Sequence, residues 1–196
     1  METPMKNSRH SRPLAIIIIL AVALIVGIVA DLVWTALDKA IYPNEYEDLV
    51  KKYAAEYNVP EDVVFATIKV ESSFDPHAVS SKGAMGLMQM LPRTFEWLTG
   101  DEHLSEHLEA NLLFEPEVSI RYGVYYLKYL YSKFDHKWDV ACAAYNGGEG
   151  NVAKWLDDER YSDGEGNLTS FPKKFDETKN YVKKIKKARE MYRELY

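Results

Sequence analysis

The chain opens with a long apolar stretch, and its later apolar residues recur at the three- and four-residue spacing of helices. Residues 14–30 carry no charged side chain. Extended to residue 37, the segment reaches the roughly 20 residues that a helix needs to cross a bilayer. Three basic residues precede it, Lys6, Arg9 and Arg12. This positive flank indicates a cytoplasmic segment at residues 1–13 and a transmembrane anchor at 14–37.

A cleaved signal peptide is the alternative for the same segment. It would end near Ala30, but the apolar run is longer than the roughly 7–15 residues of a signal-peptide core. The length favours an uncleaved, single-pass anchor. Both interpretations place the rest of the chain outside the cytoplasm.

Residues 42–196 are predicted to form one mostly α-helical domain. Apolar residues at helical spacing between 46 and 57 predict its first helix, which Asn44 can cap. Pro60 suits the first turn of the second helix, because proline is tolerated where the backbone N–H has no helical partner.

Two further prolines, Pro92 and Pro116, are placed to begin the third and fourth helices. Three more helices are expected in KWDVACAAYNGG, which the glycines end, in EGNVAKWL and in the final segment FDETKNYVKKIKKAREMYREL. Residues 157–171 are polar and contain two glycines, which predicts a mobile loop. The chain is therefore expected to be an α-helical domain that follows a membrane helix.

Composition excludes some classes of partner. With 47% hydrophobic residues the domain can bury a core, and the formal net charge of −6 argues against nucleic acid. The lysines of the last helix alternate with acids, which favours a solvated helix face. The only cysteine, Cys142, lies among alanines and is expected in the core. We find no spacing of Cys and His typical of a metal site and expect neither metal nor cofactor.

Glu71 is the first candidate for chemistry. It shares an apolar helical face with Val64 and Ile68 and stands at the C-terminal end of its helix. Apolar neighbours and the negative end of the helix dipole both disfavour the ionised carboxyl, so its pKa is expected to rise towards that of a general acid. The alternative is a solvated glutamate at a fraying helix end.

Two later segments strengthen the candidate. Glycines at 83 and 86 could let the backbone approach a ligand closely, and Gln89 offers a donor and an acceptor. Tyr145 and Asn146 stand directly before a glycine pair, where a helix is expected to end. Each of these features is weak by itself.

Together and in this order, three segments resemble the lytic transglycosylase family of the soluble type, the goose-lysozyme-like SLT domain. They are ESSFDPHAVSSKGAMGLMQMLPRTF, AAYNGGEGNV and ETKNYVKKI, and the resemblance extends over about residues 45–192. It implies a lysozyme-like α-helical fold, a bacterial cell envelope and peptidoglycan glycan strands as the partner. One departure is Leu91, where the family often has methionine.

The resemblance also implies a role for each matching residue. The family's single catalytic acid and base falls on Glu71, and its substrate contacts fall on Ser80, Gln89, Tyr145 and Asn146. Tyr181 is expected to hydrogen-bond near the catalytic carboxyl, and Glu177 to support the site.

Most glycosidases use two carboxylates, so the absence of an obvious second one matters. Asp75 is close in sequence, but an aspartate before proline usually caps local backbone. Glu177 is the other candidate. The resemblance implies that neither is needed, because the substrate's N-acetyl group attacks and Glu71 then closes a 1,6-anhydro ring. A hydrolytic muramidase of the same fold and a catalytically idle wall-binding module remain as alternatives.

Overall fold

The first described helix is long and apolar. The computed structural model describes residues 11–196, with side chains from residue 14 onwards, so most of the expected cytoplasmic segment lies outside the described residues. Helix α1, Ser11–Ile41, contains a stretch at Leu14–Ile41 that is apolar and long enough to cross a membrane, with a mean hydropathy of 3.2. The helix continues beyond residue 37, where the sequence pattern had ended the anchor.

Residues Asn44–Tyr196 form a compact unit of their own. Its helices are α2 (Glu47–Tyr57), α3 (Glu61–Glu71), α4 (Pro92–Thr99), α5 (Pro116–Lys133), α6 (Trp138–Gly147), α7 (Glu149–Leu156) and α8 (Asp176–Leu195). Short 3-10 turns at Ala110–Phe114 and Lys173–Phe175 join them. Within the described chain, β-structure is limited to isolated bridges. The expected mostly helical architecture is confirmed.

Two helix starts differ in detail from the sequence expectation. Tyr46, in the left-handed conformation, precedes α2, and the Asn44 amide donates to the Glu47 carboxylate at 2.9 Å. Asn44 therefore does not cap the backbone, because its side chain bonds to another side chain. Pro60 occupies the position before α3, one residue earlier than expected. In contrast, α4 and α5 begin at Pro92 and Pro116 as predicted.

Helix α6 is the centre of the domain. Residues 140–144 are all buried, and α5, α7 and α8 pack around them. Small side chains on α6 let these neighbours come close. Cys142 is 1% exposed, which confirms its predicted place in the core.

A buried ion pair joins α3 to α8. Arg189 Nε donates to Asp62 Oδ2 at 2.8 Å, and both side chains are only 13% exposed. Arg193 approaches the same carboxylate oxygen at 2.8 Å. Removing one member of such a pair leaves the other charge uncompensated, so substitution of Asp62 or Arg189 alone should weaken the packing of α3 on α8.

The polar segment at 157–171 folds back on itself. Ser162 and Leu168 form an antiparallel bridge, and the Asp163 carboxylate accepts the backbone N–H groups of Glu165 at 2.8 Å and Asn167 at 3.0 Å. Aspartate commonly closes such turns. The segment is thus a small hairpin, and its mobility stays a prediction.

Candidate active site

Helix α3 ends at Glu71, which lies in a groove of about 660 Å³. The loop at 80–91, α4, one residue of α5, the end of α6, the start of α7 and the start of α8 form its walls. The groove brings together six of the residues singled out in the sequence: Glu71, Ser80, Gln89, Tyr145, Asn146 and Glu177. The seventh, Tyr181, is buried beside them at 6% exposure.

The environment of Glu71 favours its protonated form. Burial raises the pKa of this carboxyl from 4.5 to about 7, the Tyr181 hydroxyl lowers it in part, and the negative charge of Glu177 raises it further. The direction agrees with the sequence expectation. Because the pKa is close to neutral pH, both protonation states of Glu71 are accessible there.

Two tyrosines flank this carboxyl. The Tyr181 hydroxyl is buried and makes no hydrogen bond of normal geometry with any described atom, although it is near enough to Glu71 to lower that carboxyl's pKa. The Tyr145 hydroxyl donates to the Met88 carbonyl oxygen at 2.8 Å. Burial raises the pKa of both phenols well above 10, so both stay neutral.

Ser72 ties the C-terminal end of α3 to the facing loop. Its hydroxyl donates to the Leu87 carbonyl oxygen at 2.8 Å and accepts the Phe74 backbone N–H at 3.2 Å. The chain can then turn away through Ser73 and Phe74, both with positive φ. The sequence analysis gave Ser72 no role, because its partner lies in another segment.

Ser80 and Gln89 hold the loop that lines the groove. Ser80 Oγ accepts the Ala84 backbone N–H at 3.0 Å. Gln89 Nε2 donates to the Ala78 and Gly86 carbonyl oxygens at 2.9 and 3.0 Å. The donor that Gln89 was expected to offer a substrate is therefore used within the loop, and its carbonyl oxygen is the group left for a ligand.

The loop glycines also act differently from the expectation of close approach to a ligand. Gly86 has φ +75°, and a Cβ there would lie 1.9 Å from the Leu113 carbonyl oxygen. Gly83 has φ +79° and open space around its missing Cβ. Gly86 thus permits contact with the protein's own backbone, while Gly83 is needed only for its positive φ.

Asn146 is positioned by α8. Its Oδ1 accepts the Thr178 hydroxyl at 2.8 Å, so its amide N–H groups remain for the groove. The contact fixes the end of α6 against the first turn of α8. Thr178 is 2% exposed, and its function could not be read from the sequence because threonine is common in helices.

Both candidates for a second carboxylate have partners within the protein. Asp75 Oδ1 accepts the His77 backbone N–H at 2.9 Å, and this exposed residue does not line the groove. Local capping was the expected role of Asp75, and it is confirmed. Glu177 forms an exposed ion pair with Lys82 at 2.9 Å on the groove rim.

An aromatic wall was missed by the sequence analysis. Trp97 and Tyr126 line the groove, and the Tyr126 ring lies 5.3 Å from that of Tyr145. Trp97 is supported edge-on by His103, with ring centroids 4.1 Å apart. The tyrosines of α5 recur at helical spacing, and such spacing does not distinguish a groove wall from the core.

The groove has no evident place for a metal. Over residues 11–196, no group of three or more His, Cys, Asp or Glu side chains could hold an ion. The groups that the groove offers for chemistry are Glu71 and its polar and aromatic neighbours.

Comparison with known proteins identifies close relatives of this arrangement. The chain is 32% identical over 158 residues to the soluble lytic murein transglycosylase of Escherichia coli K12, covering 80% of this chain and 24% of that protein. It is 30% identical over 167 residues to the membrane-bound lytic murein transglycosylase C of Actinobacillus pleuropneumoniae, covering 76% of this chain and 46% of the relative. The chain thus spans less than half the length of either relative.

Solved structures agree. The 70 kDa soluble lytic transglycosylase of Escherichia coli matches with a TM-score of 0.72 at 32% identity, over 80% of this chain and 25% of that one. An inactive glutamate-to-glutamine mutant of the lytic transglycosylase Slt from Pseudomonas aeruginosa matches with a TM-score of 0.63 at 29% identity, over 76% and 24%. The family model described as the transglycosylase SLT domain matches residues 48–167, more than half of the chain. The chain belongs to the transglycosylase SLT domain family.

Proposed function

We propose that the domain is a peptidoglycan lytic transglycosylase. It cleaves the β-1,4 bond between N-acetylmuramic acid and N-acetylglucosamine and leaves a 1,6-anhydro-muramic acid end. The observation that carries the proposal is Glu71 itself, a carboxyl in an open groove whose burial brings its pKa to about 7. The names of the relatives and the inactive glutamate mutant of one of them support it.

In the first step Glu71 acts as the acid. The protonated carboxyl donates to the glycosidic oxygen, and the bond from that oxygen to the muramic C1 breaks. The carbonyl oxygen of the muramic N-acetyl group attacks C1 in the same step, as in substrate-assisted glycosidases. The glucosamine residue leaves with the proton on its 4-hydroxyl, and Glu71 becomes a carboxylate.

In the second step Glu71 acts as the base. Its carboxylate takes the proton of the muramic C6 hydroxyl, whose oxygen attacks C1 and displaces the N-acetyl oxygen. The ring closes without consuming water, and Glu71 returns to its protonated form. A pKa near 7 suits both steps, because neither protonation state is strongly favoured over the other.

The neighbours of Glu71 suit a mechanism with one carboxylate. Asp75 is used in a local turn, and Glu177 is paired with Lys82. Neutral Tyr181, buried without a normal hydrogen-bond partner among the described residues, can orient the Glu71 carboxyl or the reacting sugar. We assign the same supporting role to Tyr145, which lines the groove.

The remaining groove residues suit an amide-bearing sugar. The carbonyl oxygen of Gln89 can accept an N-acetyl N–H, and the Asn146 amide can donate to a sugar oxygen. Trp97 and Tyr126 offer flat apolar faces on which sugar rings can stack. Ser80 completes the rim of the groove near the loop turn.

Digestion in heavy-oxygen water tests the reaction. We expect purified glycan strands to yield products that end in 1,6-anhydro-muramic acid, each one water lighter than a hydrolysis product and without label. Mass spectrometry reads both features. Label at the muramic C1 of most products would show that water attacks and that the enzyme is a muramidase. No cleavage at all would favour the idle wall-binding module.

We further propose that α1 anchors the domain to the bacterial cytoplasmic membrane, with residues 1–13 in the cytoplasm and residues 42–196 outside. The length and hydropathy of Leu14–Ile41 support a span. The basic residues before it support the orientation. A relative named as membrane-bound is consistent with this location.

A further inference from the structure

A second cavity, of about 600 Å³, lies outside the groove. It is enclosed by the start of α6, residues 167–171 after the hairpin turn, and one side of α8. It shares no lining residue with the groove around Glu71. We call this cavity the basic cleft.

Positive charge dominates the basic cleft. Its lining contains five cations against one acid, Asp139, and the cations are Lys137, Lys179, Lys183, Lys186 and Arg189. The whole chain carries a formal net charge of −6, so the cleft is opposite in sign to the molecule. Such a local concentration of cations attracts anionic groups.

Three of the cations already have partners. Arg189 pairs with the buried Asp62, and Lys186 approaches Asp139 at 2.7 Å. Lys137 donates to a backbone carbonyl of the facing turn. These contacts neutralise only part of the charge, since a carbonyl oxygen is not an anion.

Two lysines remain without a partner. Neither Lys179 nor Lys183 makes a hydrogen bond or an ion pair with any other residue between 11 and 196, and both are exposed one turn apart on α8. An anionic ligand could therefore bind them without first breaking a contact within the protein.

The floor of the basic cleft is apolar. Trp138, Val140, Phe171 and Val182 lie among its lining residues. The Trp138 ring stacks on Tyr131, with centroids 4.0 Å apart and an interplanar angle of 16°. A rigid apolar floor beneath scattered cations suits a ligand that carries both carboxylates and hydrocarbon side chains.

We propose that the basic cleft binds the short acidic peptides carried by peptidoglycan strands. This inference rests on the proposed function, which makes peptidoglycan the substrate. The two unpaired lysines, Lys179 and Lys183, stand about 6 Å apart along α8, at 1.5 Å per residue. Carboxylates two residues apart on an extended peptide, at about 3.3 Å per residue, match that spacing.

A single phosphate suits the basic cleft less well. Phosphate sites usually combine converging backbone N–H groups with a bidentate arginine. Here the only lining arginine, Arg189, directs its Nε to Asp62. The cleft therefore favours dispersed carboxylates over one compact dianion.

The basic cleft and the groove lie on different sides of the same helix. Glu177 and Lys186 are nine residues apart on α8, which places them half a turn apart around its axis at 3.6 residues per turn. A peptide in the cleft would accordingly come from another repeat unit or strand than the sugar in the groove. Two contacts with the same wall raise its effective concentration at the groove.

Binding of the protein to intact cell wall tests the proposal, and the Glu71→Gln background keeps the wall from being digested. The full-length chain with Glu71→Gln, in detergent, is incubated with purified sacculi and the bound fraction is measured. The cleft variant carries in addition Lys179→Gln and Lys183→Gln. The control variant carries instead Lys184→Gln and Lys187→Gln. The control makes the same charge change on the same helix, at exposed residues that line neither cavity.

We expect the cleft variant, which loses two exposed charge contacts, to bind peptide-bearing sacculi roughly two- to thirtyfold more weakly, and the control variant to bind like the parent. After an amidase has removed the peptides, all three proteins should bind alike. Equal binding of both double variants to untreated sacculi would overturn the proposal.

Phosphate polymers are the other source of negative charge in the wall. Hydrofluoric acid, which removes phosphodiester-linked polymers, tests whether they are the ligand. If this treatment abolishes the difference between the two variants and amidase does not, the ligand is a phosphate polymer and the proposal is wrong. Because binding is measured with Glu71→Gln, the result is independent of whether the wild-type chain forms anhydro products.

Discussion

In the proposed mechanism, Glu71 serves as both acid and base. Its position at the end of α3 exposes it to the groove, while the neighbouring core removes much of its hydration. Burial contributes most to its raised pKa, and Glu177 adds a smaller effect of the same sign. In the proposed mechanism this environment takes the place of the second carboxylate of ordinary glycosidases.

Replacing Glu71 by glutamine should abolish cleavage while keeping the fold. The amide keeps the shape of the side chain but cannot donate and recover a proton. General acid–base catalysis contributes about 10²–10⁴-fold, and one residue serves both steps here, so we expect a loss at or above the upper end of that range. Release of soluble muropeptides measures it, with circular dichroism as the check on folding.

Glu177→Gln is the matched control, because it removes a second carboxylate that lines the groove and that the sequence had offered as the alternative candidate. It should reduce the rate much less. Substantial turnover by folded Glu71→Gln, together with an inactive Glu177→Gln, would assign the chemistry to Glu177.

Glu71→Gln should also stabilise the protein at alkaline pH. The folded pKa of Glu71 is about 7 and the unfolded value is near 4.5, so the folded state holds the proton more tightly. The free energy of unfolding therefore falls by up to about 3 kcal/mol as the pH rises from about 4.5 to 7, and it is constant at higher pH. Glu71→Gln should remove this loss.

Denaturant unfolding of both proteins at pH 5 and pH 8 measures the difference. We expect the glutamine variant to be the more stable at pH 8, with the advantage much reduced at pH 5. A stability advantage of equal size at both pH values would mean that folding does not raise the pKa of the Glu71 carboxyl.

At the scale of elements, the loop at 72–91 positions the groove through contacts within the protein. Ser72 bonds to Leu87, Gln89 bonds back to Ala78, and Gly86 lies against Leu113. Residues that a motif comparison marks as substrate contacts therefore also maintain the loop. Their substitution should affect binding and loop geometry together.

Gly86→Ala should destabilise the domain far more than Gly83→Ala. Both glycines have positive φ, so both substitutions cause similar backbone strain. Only at position 86 would the new Cβ collide with a backbone carbonyl, at 1.9 Å. Thermal unfolding of the two variants compares them directly. Similar losses of melting temperature would show that the loop can move away from Leu113 at little cost.

The sequence predicted whole elements better than the contacts between them. Helices such as α4 and α5 were located because proline and helical spacing are local signals. The turn at Ala110–Phe114 is too short for a periodic pattern, and it was missed. The site residues came from motifs, but the roles of Ser72 and Thr178 depend on partners distant in sequence. No local pattern could reveal those partners.

At the scale of the whole molecule, a membrane anchor would confine the enzyme to glycan near the membrane. Protease added to intact protoplasts should remove the domain at residues 42–196 and leave a membrane-bound fragment, because the basic flank holds the N-terminus inside. Immunoblotting with tags at the two ends follows both products. A domain that stays protected until the membrane is permeabilised would reverse the proposed orientation.

The buried thiol of Cys142 provides a further measurement. It is the only cysteine of the chain, it is 1% exposed, and burial raises its pKa to about 12. A thiol reagent can therefore label the native protein only when the helices around α6 separate. The labelling rate of the unmodified protein thus reports how often its core opens, and a bound glycan that joins α3, α6 and α8 should slow that rate.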